Sequence, residues 1–247
     1  MADLAQATSV QAVADHVQER YGYGDFTGIG AEHLPTLISC VAEIDRLAAV
    51  FVHTTVPLPH APDSKFYGLG TTLSLHCPPN VKGQMGGAWG ATKWTTLHNQ
   101  DGSFARANGP VIWLNPQVFI EGTGLYGEIG FTFARSPIEA TIHEFGHVVA
   151  DLTPDAEKEL QGAVYATYGF GDSHRRTSIG RDVSIYALGS SEEQHAEVFT
   201  VLNAEGGLAR LKSDAARTRL RRLGQLTNQR LRGGKAGWRL GPTVRGL

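Results

Sequence analysis

The sequence predicts an α+β fold, with helices toward both ends and a small mixed or antiparallel sheet between them. Three observations carry this expectation. Apolar residues recur at helical spacing before residue 52 and after residue 136, short alternating runs fill the middle, and a fully capped helix opens at residue 136. Of 247 residues, 41% are hydrophobic and 19% charged, ordinary proportions for a globular chain able to bury a sizeable core.

Val10, Val13, Val17 and Tyr21 form the first stripe, with Thr8 and Gln11 at capping-box spacing and Gly22 and Gly24 to stop it. A second helix is expected over 34–51, where Leu37, Val41, Ile44, Leu47 and Phe51 make the stripe and Pro35 fits the first turn. The middle changes period. Thr71 to Cys77 alternates, with Leu73, Leu75 and Cys77 on one face, until Pro78-Pro79-Asn80 ends the run. Gly86 to Leu97 is rich in glycine, tryptophan and threonine and leads to Asp101-Gly102, a hairpin-turn pair. Val111–Leu114, bounded by Pro110 and Pro116, completes a sheet expected to be mostly antiparallel. No internal repeat or low-complexity linker interrupts the chain.

Ser136-Pro137-Ile138-Glu139 combines an N-cap, a proline at the first helical position and a capping-box glutamate, and Thr153-Pro154 supplies the stop. Ile138, Ile142, Phe145 and Val149 form the apolar stripe of this helix. A narrower face carries Ala140, His143, His147 and Ala150, small residues that leave space beside the two imidazoles.

His143-Glu144-Phe145-Gly146-His147 places two histidines four apart on a helix, roughly 5–6 Å from each other on one face. Imidazole nitrogens so spaced can both reach a zinc ion at about 2.0–2.1 Å. Glu144 lies at the edge of the same face, where a carboxylate can act as general base on a water. This is the zincin signature, and about 0.02 such pentapeptides are expected by chance at this composition. A catalytic zinc needs a third protein ligand. The extended metzincin pattern would need glycine and histidine where Ala150 and Thr153 stand, and Glu157 and Glu159 follow His147 too closely. The helix expected from Ser190 to a stop at Gly206-Gly207 carries Glu193 and Glu197 on one face, and one of these carboxylates is the expected ligand. Asp172, after Gly171, is a weaker runner-up.

These pieces resemble the anthrax lethal factor-like family of gluzincin peptidases, which includes toxin- and phage-associated members. The match is at the level of motifs over roughly 110–225. Beside the His143–His147 motif, Tyr186 stands seven residues before Glu193, and Glu193-Gln194-His195-Ala196-Glu197 supplies the family's Glu-x-x-Ala-Glu run. Gln194 and His195 stand where the family commonly has aromatic residues. The resemblance implies a zinc metalloendopeptidase with a zincin-like fold and Zn2+ on His143, His147 and Glu193. It also implies Glu144 as base, Tyr186 as hydrogen-bond donor to the oxyanion, and Glu197 behind the metal, orienting His143. By the same resemblance, Val111–Leu114 is the edge strand that pairs with an extended polypeptide substrate.

Three segments are expected: 1–80, helical, packed on the catalytic part and matching no known module; 81–227, the catalytic domain; and 228–247, a basic extended tail. Charge separates the last from the rest. Residues 1–207 carry 11 Lys+Arg against 23 Asp+Glu, net −12, and residues 208–247 carry 11 against one, net +10. Leu208, Leu211, Ala215, Leu220 and Leu223 outline a last helix with Arg217, Arg219, Arg221 and Arg222 in solvent. The charge split suits an acidic protein partner or assembly better than nucleic acid, because Trp238 is the lone aromatic residue of that stretch.

Cys40 and Cys77 make no disulfide framework and read as buried thiols. His195 points off the face shared by Glu193 and Glu197 and reads as structural. The remaining histidines lack ligand spacing, and Trp89, Trp94 and Trp113 read as core. Neither a secretory signal nor 18 consecutive apolar residues is found. Synthesis in the cytoplasm is therefore expected, with virion association or non-classical export both open. Two rival readings remain: a structural protein of a phage particle or similar assembly, with a weak or inactive zincin-like site, and a toxin domain cleaving one host protein.

Overall fold

Two amphipathic helices begin the architecture. In α1 (Val10–Tyr21) the cap is Ser9, whose hydroxyl accepts from the Ala12 amide at 3.1 Å, one residue later than the Thr8–Gln11 spacing predicts. Gly22 ends α1 in the left-handed region, φ 111°, a conformation glycine adopts without a Cβ penalty. After β1 (Tyr23–Asp25), α2 (Leu34–Phe51) buries Leu37, Cys40, Val41, Ile44 and Leu47 completely, as its stripe predicts. Between these helices, Asp45 receives His16 Nε2 at 2.9 Å and Arg20 Nε at 3.1 Å and also bonds the Tyr21 hydroxyl, so the polar groups of the contact are satisfied.

The computed structural model describes residues 4–51, 68–71, 90–98, 104–121, 130–152, 156–169 and 178–233, and over these the chain is α+β. The strand predicted over 71–77 lies outside the described residues beyond Thr71, as do Cys77 and the Asp101-Gly102 turn. So do Asp172, Trp89 and Trp238.

Among the described residues the sheet has four strands in the order β1, β2 (Gly68–Thr71), β4 (Phe104–Leu114), β3 (Gly90–His98). β3 and β4 pair antiparallel, but β1 with β2 and β2 with β4 run parallel, so the sheet is mixed rather than mostly antiparallel. β1 and β2 are three and four residues long and half glycine or polar, too short to show a period in sequence. Two further expectations are corrected here. Pro110 does not bound a strand but lies inside β4 opposite Trp94, next to a register shift where a residue without an N–H is tolerated. Val111–Leu114 is not an edge, because it pairs with β2 on one side and β3 on the other. Among the described residues the edge strands are β1 and β3.

Beyond a short α3 (Gln117–Glu121), α4 (Pro137–Leu152) runs between the sheet and the remaining helices. Ser136 caps it as predicted, its hydroxyl taking the Glu139 amide at 3.2 Å. Glu139 itself closes on the Arg135 amide at 2.7 Å and pairs with Arg210 at 2.9 Å. Next come α5 (Ala156–Tyr168), a helical turn over 178–182, a 3-10 turn at Tyr186–Leu188, α6 (Ser191–Asn203) and α7 (Asp214–Gly233). α7 stays helical to Gly233, where extended chain is expected from about residue 229. Leu208, Leu211, Leu220 and Leu223 are buried as predicted, but Ala216 takes the inward position assigned to Ala215. Arg219 is not left to solvent: it makes a bidentate pair with the buried Asp182 at 2.6 and 2.8 Å. One continuous core joins α1, α2, β4, α4, α6 and α7, with Phe145, Ile142, Leu37, Ile44, Ile112, Leu114 and Leu220 at its centre.

Candidate metal centre

The site is built where α4 meets α6, and glycine makes the meeting close. A Cβ on Gly146 would stand 3.0 Å from Ala196 Cα and 3.2 Å from Phe199 Cβ. With hydrogen at position 146 and alanine at 196, the two helices approach closely enough for side chains on both to converge. Ser190 starts α6 by accepting the Glu193 amide at 3.1 Å, which fixes Glu193 in the first turn, opposite the two histidines.

His143, His147 and Glu193 bring one ligand atom each within 4.8 Å of one another. Glu193 Oε2 lies 3.1 Å from His143 Nε2 and 3.5 Å from His147 Nε2. Ligand atoms about 2.0–2.1 Å from a tetrahedral zinc stand roughly 3.3 Å apart, and these separations straddle that value. Two imidazoles and a carboxylate also form one of the donor sets that suit zinc with an open fourth position. The residues present therefore fit a divalent cation.

Electrostatics agree with the geometry. Burial works against a charged His143, but contacts with Glu193 and Glu197 overcome it and raise its pKa to about 10. Burial also works against an ionised Glu193, yet the two imidazoles hold its carboxyl well below the usual carboxylate range. The cluster thus favours positive charge among its ligand atoms, met by protons in the metal-free chain and equally by a metal that displaces them.

Behind the ligands, Glu197 is fully buried. Its Oε1 lies 3.0 Å from His143 Nδ1, and its Oε2 accepts from the Phe133 amide at 2.7 Å and from the Ser184 hydroxyl. Ser184 also accepts the Ala187 amide, which holds the turn carrying Tyr186. The Tyr186 amide bonds the Phe131 carbonyl at 2.7 Å, and its ring centroid stands 5.9 Å from that of His143. Burial, then the charge of and hydrogen bond to Glu193, push the Tyr186 phenol well above its ordinary pKa, so it remains a donor at neutral pH.

Glu144 is buried on the side of α4 that faces β3. The Thr92 hydroxyl lies 2.9 Å from its Oε2 and 2.8 Å from its main-chain carbonyl, and Gly90 packs against its side chain. The six site residues named from sequence thus lie around one point, with His143, His147 and Glu193 converging and Glu197, Tyr186 and Glu144 bordering them. His195 is not among the convergent groups. Its ring packs on Phe199 and bonds the Gly146 backbone, and burial, then the neighbouring His147, lower its pKa to about 3, so it is neutral. Glu159 is part of α5 and outside the ligand group.

Sequence reasoning missed Gly90, Thr92 and Ser184. Gly90 and Thr92 are two apart on a strand and so share a face, a signal visible only once β3 is known to lie against α4. No family model, no curated protein and no solved structure matches the chain.

Proposed function

We propose that this chain is a zinc-dependent metalloendopeptidase of the HExxH, gluzincin type, with a zincin-like catalytic region similar to the lethal factor-like family. The observation that carries the proposal is the convergence of His143, His147 and Glu193, with a buried carboxylate, Glu144, and a phenol, Tyr186, beside them. A zinc ion held by the three side chains would supply Lewis acidity, polarising a peptide carbonyl and acidifying water.

The chain's own residues divide the remaining work. Glu144 takes the proton from the attacking water and delivers it to the departing amine. Tyr186 donates its phenolic hydrogen to the oxygen that gains charge as the carbonyl becomes tetrahedral. Glu197 holds Nδ1 of His143, so that Nε2 faces the ligand cluster. The outer edge of β3 presents unpaired backbone groups, among the described residues, to which an extended polypeptide can add as a further strand.

The alternative is an assembly protein whose metal only ties α4 to α6. The three donors found among the described residues count against it, since structural zinc sites usually have four. Metal analysis of the purified chain, with a peptide-library cleavage assay with and without chelator, separates the two. Chelator-sensitive cleavage supports the peptidase, whereas bound metal without cleavage of any peptide sinks it.

For the basic C-terminal stretch we propose an acidic protein surface as partner, supported by the +10 carried after residue 207 and the exposed Arg221 and Arg222 on α7. Co-sedimentation with that partner should fade as salt rises. Salt-independent association would remove the electrostatic basis.

No helix among the described residues is long and apolar enough to cross a membrane.

A further inference from the structure

Glu144 lies one position from a candidate metal-binding histidine, and its carboxylate must be correctly aimed to serve as a base. α4 alone does not fix the aim, because glutamate has three rotatable side-chain bonds and its head sits at the edge of the helix face. A buried carboxylate also needs a donor to replace lost water. Aim and donor are both supplied from across the gap between helix and sheet.

The Thr92 hydroxyl lies within hydrogen-bond distance of two oxygens of the same residue, Oε2 at 2.9 Å and the main-chain carbonyl at 2.8 Å. The hydroxyl's single proton is shared between the two, so it ties carboxylate and helix backbone together to the strand, and Oε2 is the carboxylate oxygen it reaches. Two residues earlier on the strand, a Cβ on Gly90 would fall 2.6 Å from Glu144 Cγ and 2.8 Å from Oε1. Any side chain at position 90 would occupy the space that Glu144 now fills. Thr92 and Gly90 share one face of β3, so a hydroxyl anchor and a hole sit together beneath the carboxylate.

We infer that Thr92 is a positioning residue for Glu144: its hydroxyl holds Oε2, Gly90 leaves room for the side chain, and Oε1 is left to take the proton. The inference rests on the peptidase reading for its catalytic consequence. Its structural core, that β3 aims the carboxylate, stands apart from that reading. Because β3 is also an edge strand among the described residues, the strand that would align a peptide is the strand that aims the base. Substrate pairing and proton transfer then share one rigid element.

The test uses the full chain loaded with zinc. Thr92→Val keeps the shape and β-branching but removes the donor. Zinc content should be unchanged, and in its crystal structure the Glu144 carboxylate should leave its position over Gly90. On a peptide cleaved by the wild type, kcat should fall roughly 10–50-fold with little change in KM. Thr92→Ser should restore most of the loss. In a Glu144→Gln background the valine substitution should cost nothing more. Gly90→Ala, which displaces Glu144 from below without touching the hydroxyl, should lower kcat while retaining zinc. An unmoved carboxylate in Thr92→Val, or a kcat equal to wild type, overturns the inference. Should the wild type cleave nothing, the peptidase reading fails, and the carboxylate position in the crystal still decides the role of Thr92.

Discussion

Oε1 of Glu197 lies 3.0 Å from Nδ1 of His143, inside the core, on the side of the imidazole opposite Glu193. One ring is therefore held between two carboxylates from a single helix, and the two should be separable by substitution. Glu193→Ala should strip zinc or weaken it severely, because two histidines remain. Glu197→Gln should weaken zinc about 10–100-fold, since it loosens the ring without removing a ligand. Competition with a fluorescent chelator measures both. A larger loss for Glu197→Gln than for Glu193→Ala would put Glu197 rather than Glu193 on the metal.

Glu144→Gln should leave zinc content at the wild-type value and lower the rate by roughly 10²–10⁴. A stopped assay on any cleaved peptide reads it. Cleavage at the wild-type rate would remove Glu144 as base and the mechanism with it.

Tyr186→Phe should lower kcat by roughly 10²–10³ with zinc retained, because the oxygen that gains charge loses a donor. Steady-state kinetics beside metal analysis distinguishes this from a folding defect. An unchanged kcat would mean that some other group faces the oxyanion.

Zinc affinity should rise with pH up to about 10. Below that value His143 carries a proton in the metal-free chain and zinc must displace it, and the pKa of His147 is raised as well, so affinity should climb at least about tenfold per pH unit before levelling off. The same raised pKa has a second consequence for the metal-free protein. The stability contributed by this proton is complete below the unfolded histidine value of about 6.5 and is lost as pH rises toward 10. Calorimetric titrations in buffers of different ionisation enthalpy count the protons released. No release at neutral pH would contradict the charged cluster.

Arg219→Ala should cost about 2–3 kcal/mol, since it leaves Asp182 buried without its bidentate partner, discounted for the partial exposure of the arginine. In a chain of this size that lowers Tm by roughly 5–10 °C. A shift under about 1 °C would show that the pair contributes little.

Legibility in the sequence followed range. α2 and α4 could be read almost to the residue, because stripe, cap and stop lie within one local segment. The clustering of His143 and His147 was readable because spacing four on one helix is local, and the Tyr186, Glu193 and Glu197 candidates came with a motif resemblance. The order of the sheet was not readable. Residues 23–25, 68–71 and 111–114 meet only through long-range pairing, and nothing in Tyr23-Gly24-Asp25 announces a strand. Thr92 was missed for the same reason, lying 52 residues from the carboxylate it holds. The one-residue error at Thr8 is smaller: adjacent Thr8 and Ser9 are both good caps, and Ser9 is the one that satisfies Ala12.

Gly146 has a consequence for which ion the candidate site would suit. A methyl group there would push the backbone of Ala196 and the side chain of Phe199 outward by a few tenths of an ångström. Because the histidines ride on one helix and the carboxylate on the other, that displacement widens the bite of the donor set. A few tenths of an ångström is also the difference in bond length between zinc and calcium. If the three side chains hold zinc, as proposed, the absence of a side chain at position 146 would act as a gauge, setting the ionic radius the site grips through the distance between two helices.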